Sequence, residues 1–286
     1  MAAASEPERL EAAFGHCQAL LREGDRDRYL AILLAPPHKR AHLSALYAFS
    51  LDVARIREVA AQALAGEIRL QWWRDAVMGD ARGEVSAHPI AAALLATIAA
   101  FRLPPQAFLD LLDARTFDLY DDPMPTVASL EGYCGETSSA LLRLASFVLA
   151  DGRDPGGADA AGHAGVAYAI AGLLRAFPWH ARRGQVYLPA DVLDRHAVSR
   201  SEVVSGTDSD RLRAALADMR TLARRHFAQY VKTLPTLPPV VRMALVPAAV
   251  APLYLDRMEA PRYDPFGTVV EVPQWRRQWR LWRAAR

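Results

Sequence analysis

Two stretches of the chain concentrate side chains able to do chemistry. Residues 46–58 read LYAFSLDVARIRE and carry Tyr47, Phe49, Asp52, Arg55 and Glu58. Residues 172–191 read GLLRAFPWHARRGQVYLPAD and carry Arg175, His180 and Tyr187. Acids in such a pair of segments would suggest magnesium, which takes hard oxygen ligands in near-octahedral geometry and bridges them to diphosphate. Acids four residues apart share one helix face, so two facing helices can clamp a metal–diphosphate cluster. Neither stretch meets that requirement. Ala54 offers no oxygen, a guanidinium at Arg55 repels a cation, and Glu58 with Asp52 is too little to rebuild the cluster. Arginine binds phosphate bidentately and with a permanent charge, so Arg55 and Arg175 are candidate anion ligands that need no metal. The plainer alternative pairs Arg175 with a buried acid such as Glu58 or Asp52. It also makes His180 a packing or hydrogen-bonding residue rather than a general base.

An acid-x-x-x-acid match does occur at Asp118 and Asp122, in DLYDDP. It falls where a helix should end before Pro123, so a solvated terminus is expected, with Asp110 and Asp113 in the same exposed acidity. The C-terminal VPQWRRQWRLWRAAR spaces Trp275, Trp279 and Trp282 by four and three residues, on one helical face. Arg276, Arg277, Arg280, Arg283 and Arg286 are interspersed. Such a helix suits an anionic membrane interface or a partner groove; the alternative docks the tryptophans on the body and leaves the arginines in water.

These groups need positioning, and the chain offers helices to do it. Apolar residues recur with helical period almost throughout, and no run alternates as a strand would. The pattern predicts helices at Pro7–Glu23, His42–Val59, Ala63–Met78, Pro89–Phe101 and Pro105–Tyr120. It predicts others at Ser129–Ala150, Ala158–Ala176, Asp208–Leu234, Pro238–Met258 and from Pro273 to the end. Pro178 should stop the helix that carries Arg175. No Pro/Gly/Ser linker divides the chain, so residues 1–286 read as one all-α domain ending in a basic, Trp-rich amphipathic helix over 273–286. A formal net charge of +2 and the absence of any matching motif argue against nucleic acid. Cys17 and Cys134 fit no metal spacing and suggest a reducing compartment. No signal-peptide core and no uninterrupted apolar span is evident. The expectation is a cytoplasmic protein, with peripheral contact at the inner membrane as a further one. Lys39 and Lys232 are the only lysines, a bias that reads as a GC-rich bacterial genome.

The two stretches resemble the signatures of the squalene/phytoene synthase family. The first signature there runs Leu-Tyr-Ala-Phe-Cys-Arg and then Asp-Asp-x-x-Asp, whose acids fall at Ala54, Arg55 and Glu58 here. Aligned on Tyr187-Leu188-Pro189, the second signature's asparagine falls at Gly172 and its magnesium-binding aspartates at Ala176 and His180. Arg175, Gly184 and Tyr187 keep the family type. Further likeness, at Ile68–Asp75, at Leu130, Glu131, Tyr133 and Thr137–Ser139, and at Leu174–His180, is to a non-synthase branch, the mitochondrial complex I assembly factor and its bacterial relatives. The resemblance implies an isoprenoid-synthase helical fold around a central cavity. It implies a catalytically degenerate, pseudoenzyme role in assembling respiratory NADH dehydrogenase, with complex I subunits or assembly intermediates as partners. A lipid or prenyl phosphate is an added candidate ligand, and no cofactor is expected. The alternative is a divergent prenyltransferase condensing farnesyl or geranylgeranyl diphosphate, which would require magnesium.

Overall fold

Helix starts are written locally. The Ser5 amide donates to the Glu8 carboxylate at 2.8 Å, a capping-box contact that satisfies one of the amides a helix start leaves free. Prolines occupy the first turns of several other helices, where the missing amide costs nothing. The computed structural model describes residues 5–60 and 62–286.

Seventeen α-helices follow one another among the described residues, with no strand. The first half holds α1 (Glu6–Gly24), α2 (Arg26–Ile32), α3 (Pro37–Ala54), α4 (Ile56–Val59), α5 (Ala63–Met78), α6 (Pro89–Phe101) and α7 (Pro105–Thr116). Next come α8 (Val127–Cys134), α9 (Ala140–Leu149), α10 (Ala158–Arg175), α11 (Phe177–Arg182), α12 (Ala190–Arg195) and α13 (Arg200–Val204). The chain finishes with α14 (Asp210–Thr233), α15 (Pro239–Leu245), α16 (Ala251–Met258) and α17 (Gln274–Ala284).

The all-α expectation holds, and the departures from the expected spans have identifiable causes. The helix expected over His42–Val59 starts at Pro37 and breaks at Arg55. The one expected over Ser129–Ala150 is interrupted by a π-turn, Gly135–Ser139. There the Thr137 hydroxyl donates to the Tyr133 carbonyl at 2.6 Å, and the Ser139 hydroxyl to the Gly162 carbonyl at 2.9 Å. Pro247 tightens Val246–Val250 into a 3-10 turn between α15 and α16, because proline cannot donate to the preceding turn. The helix that carries Arg175 does end before Pro178, which sits in the first turn of the short α11. Short helices α2, α12 and α13 carry too few residues for a periodicity to register.

Two large apolar cores form. One gathers Leu46, Phe49, Trp73, Leu94, Phe108 and Leu111 from α3, α5, α6 and α7. The other gathers Leu130, Ile170, Leu174, Leu216, Leu255 and Leu281 from α8, α10, α14, α16 and α17. Residues 239–258 are long and apolar enough to cross a bilayer by composition, and they are 61% buried within the helical body. Polar residues of α2, α3, α7, α10, α16 and α17 line a cavity.

Candidate functional site

The cavity has a volume of about 730 Å³ and an adjoining annex of about 180 Å³ that shares part of its wall. Its wall is charged, and most of the charges are paired. Asp25, which caps α2, meets Arg28 at 3.3 Å, and the Arg28 guanidinium lies by the Tyr47 and Tyr168 rings, 5.0 and 5.5 Å from their centroids. Asp27, 6% exposed, accepts from Arg277 of α17 at 2.9 Å and from the Tyr254 hydroxyl, and Arg175 stands 3.6 Å away. Arg175 also covers the Tyr254 ring at 4.7 Å.

Asp118 forms a second hub. It accepts from the hydroxyls of Tyr133 and Tyr187, each at 2.7 Å, and from Arg115 at 2.9 Å. Gln185 donates to its backbone carbonyl at 2.8 Å. The expected solvated terminus is therefore wrong for Asp118, which is buried. The α7 helix ends at Thr116 and a 3-10 turn, Phe117–Leu119, carries Asp118 inward. Asp122 is exposed, and Asp113 pairs with Arg74 at the surface at 2.7 Å.

Of the residues singled out in the sequence, Ala54, Arg55, Glu58, Arg175, Ala176, His180 and Tyr187 line the cavity, and Gly172 lines the annex. Tyr47 is buried beneath Arg28. Phe49 lies in the core against Trp73 and Phe108. Asp52 accepts from the Trp73 indole at 3.1 Å; counting Tyr47, Phe49 and Asp52 as cavity remnants thus needs correcting, since none of the three lines the cavity: Tyr47 lies under Arg28, Phe49 packs on α5 and α7, and Asp52 is held by α5. Arg175 does pair with an acid, but that acid is Asp27, while Glu58 takes Arg183 at 3.3 Å. Arg55 enters no ion pair among the described residues, and its guanidinium packs on Gly24, where an added Cβ would come within 2.6 Å.

Sequence reasoning missed Asp25, Asp27, Arg28, Arg115, Tyr168, Tyr254 and Arg277. The alternating DRDR at 25–28 was a usable signal, because it precedes an apolar segment and offers a helix start. Tyr168 and Tyr254 gave none, since a tyrosine in an apolar helix reads as core.

Burial sets the protonation states. It raises the Tyr133, Tyr168 and Tyr187 phenols well above the ordinary value and takes Tyr47 to about 12. It raises the Asp25 carboxyl and pushes His180 down to about 4. Four polar side-chain atoms of the wall are buried without a partner: Arg28 Nε, Arg115 Nε, Arg277 Nε and Ser138 Oγ. Such atoms are expensive to leave unpaired. The donor set does not suit a magnesium–diphosphate cluster. Ala54 and Ala176 present no oxygen, and Asp25, Asp27, Glu58 and Asp118 are each held by arginine. Among the described residues, no three His, Cys, Asp or Glu side chains converge as a metal-ligand set.

A helical body around a polar cavity, with the tyrosine of a Tyr-Leu-Pro segment on its wall, is the class of protein defined so far. The squalene/phytoene synthase family profile matches residues 21–283, and the chain belongs to that family. It is 30% identical over 241 residues to the human NADH dehydrogenase (ubiquinone) complex I assembly factor 6, covering 82% of this chain and 71% of that one. The rat protein of that name is 32% identical over 211 residues, 74% of this chain and 63% of its own length. A 15-cis-phytoene synthase of Synechocystis is 27% identical over 278 residues, 92% of this chain and 82% of that one. Among solved structures, a dehydrosqualene synthase in complex with ligand superposes with a TM-score of 0.80 over 96% of both chains at 19% identity. That likeness carries the fold alone: the isoprenoid-synthase helical arrangement.

Proposed function

We propose that this protein is a catalytically degenerate squalene/phytoene synthase relative that serves in assembling respiratory NADH dehydrogenase. Its cavity holds a phosphate-bearing anion through arginine, without magnesium. The observation that carries the reading is the substitution of charge on the cavity wall. Ala54, Arg55, Ala176 and His180 stand where the family's metal-binding acids belong, and Asp25, Asp27, Glu58 and Asp118 of the cavity wall are paired with Arg28, Arg277, Arg183 and Arg115. The unpartnered donors Arg28 Nε, Arg115 Nε, Arg277 Nε and Ser138 Oγ add to it, since a bound oxyanion and its waters would reorganise around them. Relatives named as complex I assembly factor 6 in several animals support the assembly role.

The test has two arms. Purified protein is incubated with radiolabelled farnesyl and geranylgeranyl diphosphates, with and without magnesium, beside an active synthase. No diphosphate release is expected, and magnesium-dependent condensation would establish the prenyltransferase alternative instead. In parallel, a deletion strain of the source organism is assayed for NADH dehydrogenase. The reading expects loss of assembled complex, restored by the gene, and normal assembly would sink it.

A further inference from the structure

The C-terminal helix is seated the opposite way from an ordinary docked amphipathic helix. Two of its arginines face the body: Arg277 reaches Asp27 at 2.9 Å, and the Arg280 Nε donates to the Ala249 carbonyl at 3.0 Å. Leu281, on the same side, is fully buried. At ~100° per residue, Trp275, Trp279 and Trp282 fall within an arc of about 60° on the other side. Trp275 and Trp279 are 65% and 56% exposed, and Trp279 stacks on Trp282 with centroids 5.1 Å apart. Arg276 lies over Trp275 and Arg286 over Trp282, while Arg283 is exposed between them.

We propose that this outward face of α17 docks the protein onto an anionic lipid bilayer. Charge complementarity selects the occupant. Residues 274–286 hold five arginines and no acid, whereas the whole chain is only +2, so residues 1–273 carry a net −3. This short basic helix, which holds no acid, would therefore orient the molecule against a negative surface. Indole rings prefer the headgroup level, and flanking arginines reach the phosphates. The segment Val269–Val272, which leads into α17, lines the cavity, so the docked face and the cavity share one strap of chain. This proposal stands apart from what fills the cavity.

The experiment is cosedimentation of the full chain with vesicles of phosphatidylcholine alone or with roughly one-third phosphatidylglycerol. Three proteins are compared: wild type, Trp275→Ala/Trp279→Ala and Arg276→Gln/Arg283→Gln. All four positions are exposed, so the fold should persist, and circular dichroism checks it. Wild type should pellet with the anionic vesicles and release as salt rises to ~0.5 M, and either double variant should bind about tenfold more weakly. Wild type staying in the supernatant would overturn the proposal and leave the face to a protein partner. Equal binding to neutral vesicles, or an unchanged tryptophan variant, would also overturn it.

Discussion

Asp27 accepts a hydrogen bond from Arg277 at 2.9 Å, joining the second helix of the chain to the last across the cavity wall. Both side chains are largely buried, at 6% and 12% exposure, and Asp27 also serves Tyr254 and Arg175. A carboxylate that balances two guanidiniums in one cavity fixes the seating of α17 as well as the local charge.

Replacing Asp27 by Asn keeps the shape and removes the charge. The buried Arg277 is then uncompensated, so a loss of roughly 3 kcal/mol is expected, read from the midpoint of urea unfolding. Arg277→Gln should cost less, because Asp27 retains Tyr254 and Arg175. Equal stability of Asp27→Asn and wild type would mean that the pair contributes nothing net.

The cavity arginines predict anion binding indifferent to chelation. Inorganic diphosphate with EDTA present should stabilise wild type, as any ligand specific to the folded state does, by about 2.7 kcal/mol at a hundredfold excess over its dissociation constant, read as a raised thermal midpoint. Arg55 is the informative substitution, since it has no carboxylate partner among the described residues. Arg55→Ala should leave the unliganded midpoint nearly unchanged and reduce the diphosphate shift severalfold. A shift that appears only with magnesium would contradict an arginine-based site.

Most of the helical architecture was legible from residue spacing, and the likeness to two family signatures, the second anchored on Tyr187-Leu188-Pro189, pointed to Arg55, Glu58, Arg175 and His180, which line the cavity. The cavity's interior chemistry was less so. Asp118 sits in a run of exposed acids, and only the 3-10 turn after α7 rotates it toward Tyr133 and Tyr187. Asp27 meets Arg277 from 250 residues away, and a contact of that separation leaves no local pattern. The outward turn of Trp275 and Trp279 was likewise undecided, because an amphipathic sequence shows two faces and not which one the body covers.

Four histidines sit where burial lowers their proton affinity: His42, His88, His163 and His180. His163 is lowered further by its neighbour His226, whose Nδ1 lies 2.9 Å from its own. The unfolded chain takes these protons near pH 6.5, whereas the folded chain resists them, so the unfolded state binds more protons as pH falls. Stability is unaffected above about pH 7 and declines from pH 6.5 toward 4. His180, faced by Asp118, Arg183, Glu58 and Arg115 and held near 4, accounts for roughly 3 kcal/mol of that decline. Urea titrations at pH 7 and 4.5 should show a smaller difference for His180→Gln than for wild type, and identical differences would remove His180 as a cause.

The π-turn between α8 and α9 depends on one glycine of α10. A Cβ built at Gly165 would come within 2.5 Å of the Ser139 amide nitrogen and closer still to its Cα and hydroxyl. Backbone atoms cannot swing aside as a flexible side-chain tip can, so α10 would have to move off the turn. That movement would pull on Ser138, whose unpartnered hydroxyl lines the annex, and on Tyr168, one turn further along α10. Gly165→Ala should therefore cost about 2–4 kcal/mol in urea unfolding, at or above the upper range for overpacking. It should also weaken diphosphate binding, although residue 165 does not line the cavity. Gly162→Ala serves as the control, because a Cβ there meets nothing within 4 Å. It should be neutral or slightly stabilising through helix propensity. If both substitutions behave alike, the close approach of α10 to the turn is not what holds the annex in shape.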